Sequence, residues 1–322
     1  MKMIKPTKIN ITISKYAALC LLALFCLSVT GLMAQKDSTA AANDSTVAKP
    51  KEKSRPVKDI FKSNYILDNQ TVNVAPKRTL EVAIQHRFGT INNGYSDFYG
   101  IYSPATIRIG FAYVPVNNVQ LGIGFCKYDM TWDANAKVAI LRQNESNSKP
   151  VSITYYGNIA VDTRAASNFV KSGDRLSYFH QILVARKFGD EFSLQAGLSL
   201  SHFNNIPGFL DSNNVVISTM KNDNFSFHTM GRYTFKKREE PKTSMVVSIL
   251  FNYDQPLTQN LTNNPMPNLN LGIEIATTAH DFQLTFGNFQ YIVPQYNNTF
   301  NQNNFKKSMY CIGFNIIRLW HL

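Results

Sequence analysis

Six residues offer the most chemistry in this sequence: Arg87, Arg108, Lys137, Arg232, Glu81 and Glu274. Each stands where apolar and polar residues alternate, and each falls on the polar side. If those stretches are strands, the first hairpin brings Arg87 and Arg108 close together near one mouth of an enclosed lumen. Lys137 and Arg232 face the same space lower down, and Glu81 and Glu274 lie toward the opposite end. Two readings follow. Left unpaired, the cations make an anion-favouring constriction. Paired with acids, they neutralise one another and close a small barrel from within. The second is the plainer expectation.

Nucleophilic and metal chemistry find less support. The six histidines show no HExxH or comparable metal spacing, so no cofactor or metal is expected. His86, His180 and His202 fall on the apolar faces. A barrel enzyme acting on lipid needs a serine beside such a histidine. The residues flanking His180 and His202 at that height are Ile159, Val161, Phe225 and Phe227, none of them a serine. Ser226 and His228 share a polar face, but two residues at i, i+2 in a serine-rich face are expected by chance. LGIGF (121–125) lacks the third glycine and the helix of a nucleotide fingerprint. No catalytic residue is assigned, and the chain is not expected to be an enzyme.

The elements that position these residues are strands. From Thr79 to the end the pattern has a period of two. Leu80, Val82, Ile84 and Phe88 oppose Glu81, Gln85 and Arg87. Val119, Leu121, Ile123 and Phe125 oppose Gln120, Gly122, Gly124 and Cys126. About twelve such segments of roughly ten residues follow one another, the signature of a transmembrane barrel. Connections alternate between short (PVNN at 115–118, GDE at 189–191, KKREEPK at 236–242) and long (Thr90 to Pro104, Asn204 to Asn222, Asn288 to Phe305). That is the barrel rule of short turns and long outer loops. The fold expected is all-β, an antiparallel up-and-down transmembrane β-barrel. Its apolar face meets lipid, because the polar face is Gly, Ser, Thr, Asn and Gln, and only 17% of the chain is charged.

Residues 1–34 have a basic start, an apolar core and a small-residue exit, the layout of a signal peptide. Its removal takes away four lysines and lowers the net charge from +12 to +8. The remaining charge is dispersed, so nucleic acid is not an expected partner. Residues 35–58 read as a flexible periplasmic linker, and 59–322 as the barrel, with 59–78 a possible plug or extra strand. Cys126 and Cys311 are the two cysteines left. Both should face the lumen with two strands between them, so no disulfide is expected.

The segments IQHRFGTINNGYSDFYGI (84–101), IRIGFAY (107–113), ILRQ (140–143), QILVARKFGD (181–190) and GFNIIRLW (313–320) resemble a family of outer-membrane β-barrels of the Bacteroidota type, a domain of unknown function. The resemblance spans roughly 57–322 and implies a barrel in the cell outer membrane, with no ligand residues carried over. MYCIGFNIIRLWHL (309–322) is similar to the closing strand by which outer-membrane proteins engage the barrel-assembly machinery. The expected function is a passive pore or conduit for a small solute or a lipidic ligand. The alternatives are a structural or adhesive barrel that meets a partner through its long loops, and a lipid-modifying enzyme. Outer-membrane lipid is an expected partner; the solute or loop partner is not in the sequence.

Overall fold

The computed structural model describes residues 55–240 and 243–322. The expected signal peptide (1–34) and most of the expected linker (35–58) lie outside that range, as does the tip of the 236–242 turn. The first short strands are β1 (Tyr65–Ile66) and β2 (Asn69–Gln70), which pair with each other. The wall then runs through β3 (Thr79–Thr90), β4 (Thr106–Val116), β5 (Val119–Cys126), β6 (Thr131–Leu141), β7 (Ser152–Asp162), β8 (Leu176–Phe188) and β9 (Phe192–Phe203). A small outer hairpin follows, β10 (Gly208–Leu210) with β11 (Val216–Thr219). The wall resumes with β12 (Asp223–Glu240), β13 (Thr243–Pro256), β14 (Asn268–Thr277) and β15 (His280–Gly287). Helix α1 (Pro294–Phe300) precedes the last strand, β16 (Cys311–His321).

Twelve strands, β3–β9 and β12–β16, form one closed antiparallel barrel. β16 pairs with β3, Trp320 opposite Leu80 and Asn315 opposite Gln85, so no edge is left open. Closure is required in lipid, where an unpaired backbone N–H or C=O has no water to bond.

The two faces settle which solvent each meets. Outward residues are apolar and open, with Ile140 64% and Leu284 58% exposed. Inward residues are polar and sealed, with Thr154 and Asn252 at 0%. A water-soluble barrel has the reverse arrangement. Aromatic rings ring the wall near its rims: Trp132 lies edge-on to Phe125, and the Arg318 guanidinium sits 4.7 Å over Trp320. Such rings suit the headgroup zone, apolar on one side and wet on the other.

Residues 60–74 lie inside the barrel, and 59–78 add no strand to its wall. Ile60, Phe61, Ile66, Leu67 and Val72 pack against Leu183, Ala185, Met230 and Leu250, which point inward from β8, β12 and β13. Burying each large apolar side chain contributes roughly 1.5–3 kcal/mol. At the other end the last long loop turns inward. Its helix α1 is buried over Gln295–Thr299 and touches β8, β9, β12 and β13. Tyr296 packs there with Cys126, Ala160, Phe203 and Val293.

Candidate functional site: a lumen closed from both ends

All six charged residues singled out above face the lumen, and all are buried. The sheet places them in two groups. Arg87 sits one diagonal from Arg108, because Gln85 pairs with Arg108 across β3 and β4. The two arginines are nevertheless held by different acids. Arg87 bonds Asp68 of the inner segment, Nη2 to Oδ1 at 2.8 Å. Arg108 grips Asp133 of β6 with two parallel bonds of 2.8 Å. Arg232 bonds Glu274 two strands away at 2.5 Å. Lys137 donates to the Asn64 and Asn73 carbonyls of the inner segment, at 3.3 and 3.4 Å, and lies within electrostatic reach of Glu81.

The inner segment is a plug bonded around the wall's circumference. Leu67 N–H donates to Gln283 on β15 at 3.0 Å. Asn69 donates to Asn252 (3.0 Å) and Asp254 (2.7 Å) on β13. Val72 N–H donates to Gln195 on β9 (2.8 Å), and its carbonyl accepts from Thr154 on β7 (2.8 Å). Asp68 also accepts from Asn270 on β14. The Leu67 carbonyl accepts from both Asn315 on β16 (2.7 Å) and Arg87 on β3 (3.3 Å).

Asp68, Asp133, Asn69 and Gln195 are essential to this arrangement, and the sequence patterning did not single them out. Asp254 joins them, because β13 continues through Pro256 and points it inward. One signal was present. Leu183, Met230, Leu250 and Ile317 are apolar on the lumen face of strands β8, β12, β13 and β16 and are fully buried, which makes sense only if something apolar fills the barrel.

Each mouth holds a cavity. Where the chain enters and leaves the barrel, a cavity of about 850 Å³ is bordered by Lys58, Ile60, Phe61, Val74, Arg142 and His321. At the opposite mouth a cavity of about 420 Å³ lies among Asp129, Arg164, Arg175, Tyr296 and Phe300. There Arg164 bridges Asp129 (3.0 Å) and Asp162 (2.5 Å). Burial pushes the Tyr296 phenol up to about 12. Burial also raises the Asp129 carboxyl, against the pull of Arg164.

On the outer wall His180 bonds the Tyr155 hydroxyl at 2.6 Å, and His202 bonds Asp223 (2.7 Å) and Asn204 (3.1 Å). The two cysteines are buried and free.

A closed barrel with an apolar outer band and a filled polar interior is a membrane-spanning β-barrel protein. The chain belongs to the family described as membrane bound beta barrel domain (DUF5777), which matches residues 61–320. Among solved structures the chain is similar to the NanC porin, at 8% identity and a TM-score of 0.42, over 76% of this chain and 99% of that one. It is also similar to the COG4313 outer membrane channel from Pseudomonas putida F1, at 11% identity and a TM-score of 0.41, over 77% and 97%. The beta domain of the Bordetella autotransporter BrkA matches at 7% identity and a TM-score of 0.41, over 76% and 100%. No curated protein matches the sequence.

Proposed function

We propose that the protein is an outer-membrane conduit for a small polar solute, closed at rest by its own residues 55–78. The observation that carries this reading is the chemistry of the plug's attachment. The plug is held to seven or more strands largely by amide and carboxylate side chains. Water entering the lumen can satisfy those polar groups when they part, so the cost of undocking lies mainly in the plug's apolar contacts and the Asp68–Arg87 pair. The lumen face left behind is mostly Gln, Asn, Ser, Thr and charged side chains, with a smaller apolar patch of Leu183, Ala185, Met230 and Leu250, and so suits a polar solute better than a lipid tail. The outer face supports an outer-membrane address, with lipid as its contact. β16 then serves as the strand that the barrel-assembly machinery reads.

Conductance across a planar lipid bilayer tests the reading. The full chain should show little current, and a chain lacking residues 55–78 should show steady, ohmic current. If the shortened chain folds, as judged by its heat-dependent gel shift, and still passes no ions, the conduit reading fails.

A second reading has its own support. The first outer loop exposes Tyr95 (82%) and Tyr102 (79%), and the β10–β11 hairpin exposes Val216 and Ile217. Apolar loop tips in water favour a protein partner. Deleting 208–219 should abolish such binding and leave the conductance of the plug-free barrel unchanged.

A further inference from the structure

Three inward-facing residues on consecutive wall strands lie in line. Ser199 Oγ on β9 is 2.6 Å from His228 Nε2 on β12. His228 Nδ1 is 2.8 Å from Asp254 Oδ1 on β13. All three are buried: Ser199 is 4% exposed, His228 0% and Asp254 1%. Register explains the alignment. His228 is directly opposite Asp254, and Ser199 is one diagonal away, because Ser226 pairs with Ser199 and His228 with Gly197. With the Nδ1 proton directed at the carboxylate, Nε2 is free to accept from the serine, the arrangement that activates a hydroxyl for attack.

A purely structural network would satisfy its neighbours too, and this one does not. Gln181 and Ser226 stand directly opposite Ser199 on its two sides. Both are buried, yet among the described residues Gln181 Nε2 and Oε1 and Ser226 Oγ have no hydrogen-bond partner. Ser201 Oγ, the next inward residue of β9, is also unpartnered. Buried polar groups left so cost about 1–3 kcal/mol each, and such a cluster beside an activated hydroxyl suits a polar guest. The location is bounded. Asn69 of the plug bonds Asp254 from one side, and α1 touches the same four strands, β8, β9, β12 and β13.

We propose that Ser199 is a nucleophile for small acyl esters that enter the lumen, with His228 as its general base and Asp254 as the positioning residue. Ser199 Oγ adds to the ester carbonyl carbon while its proton passes to His228 Nε2. Asp254 stabilises the imidazolium, and Gln181 Nε2 donates to the developing oxyanion. The bond from the carbonyl carbon to the alkoxy oxygen then breaks, and the alcohol leaves with the proton from His228. Water, deprotonated by the same nitrogen, releases the carboxylic acid and restores Ser199. The conduit thereby processes an acylated solute on its way through.

The test uses the purified full chain in detergent, with methanesulfonyl fluoride as a small serine probe and p-nitrophenyl acetate as substrate. Peptide mass spectrometry should place the sulfonyl adduct on Ser199, and on neither Ser201 nor Ser226, which are equally buried on the same face. His228→Asn should lower labelling about a hundredfold while the heat-dependent gel shift stays intact. Ester turnover should vanish in Ser199→Ala. Asp68→Asn, which breaks the plug's ion pair with Arg87 and touches none of the three residues' own bonds, should raise both rates. Equal labelling of the three serines overturns the proposal, as does labelling indifferent to His228→Asn. Absence of adduct or of turnover in both the full chain and Asp68→Asn overturns it equally.

Discussion

Arg87 on the wall and Asp68 on the plug meet at 2.8 Å with side chains 1% and 0% exposed. Neither has water to fall back on. A buried pair of this kind is costly to break from one side, roughly 3–5 kcal/mol, because the survivor is left as an unpaired charge. Replacing both partners with apolar residues of similar size is often near neutral. Asp68→Asn should therefore destabilise the barrel far more than Asp68→Leu combined with Arg87→Met. Urea unfolding in lipid vesicles, run as a double-mutant cycle, measures the difference. Equal loss in the two variants would remove the pair from the account of plug retention.

Leu284 tests the assignment of faces. It projects outward at mid-strand, between the inward-facing Gln283 and Thr285. Leu284→Arg should cost ~2–4 kcal/mol of folding free energy in bilayers, the penalty for a cation near the midplane. In a water-soluble barrel the same change on an exposed face is worth under about 0.5 kcal/mol. Folding equilibria in short-chain lipid decide between the two.

Gly313 lies in the seam, on the lumen face of β16. A methyl group there would overlap the His86 carbonyl on β3 and crowd the Arg87 side chain. Gly313→Ala should weaken closure by ~1–3 kcal/mol, the usual cost of forcing atoms into packed space. Thermal unfolding followed by gel shift should show a lower midpoint, and an unchanged midpoint would mean that the seam is looser than the register implies.

Asp97 organises the first outer loop. It accepts from Gly100 N–H (2.9 Å), Ser103 Oγ (2.7 Å) and Asn93 Nδ2 (3.0 Å). These bonds hold its carboxyl below the ordinary 3.8. A depressed carboxyl contributes order above its unfolded value and loses it only as pH falls through the lowered one. Protease cleavage within 91–103 should therefore be as slow at about pH 4.5 as at neutrality. In Asp97→Ala it should be fast at both. A wild-type loop that opens already at the milder pH would contradict the bonding described.

The barrel itself was legible because the signal repeats. Each strand carries four or five alternations, and lipid on one side with a polar lumen on the other leaves little freedom in where they point. Leu80 to Phe88 and Leu269 to Ile275 are such runs. The six lumen charges were legible for the same reason. Their partners were not. Asp68 lies in a segment with no periodicity, and its bond to Arg87 depends on where the plug settles. Asp133 sits two residues into β6, just after the brief 128–130 turn, where a one-residue shift in register changes which face it joins. The link from Ser199 to His228 is a cross-strand diagonal, fixed by a register that no single strand encodes. Ser226, the nearer serine in sequence, points into the same lumen without bonding the histidine.

The Leu67 carbonyl accepts from Arg87 on the first wall strand and from Asn315 on the last. Those two strands meet only once the sheet has come full circle, and Leu67 and Asn315 are 248 positions apart. The plug is made before either strand and touches both sides of their join. The join is thus fastened twice, by the β16–β3 ladder of the wall and by a single carbonyl of the plug that spans it from within.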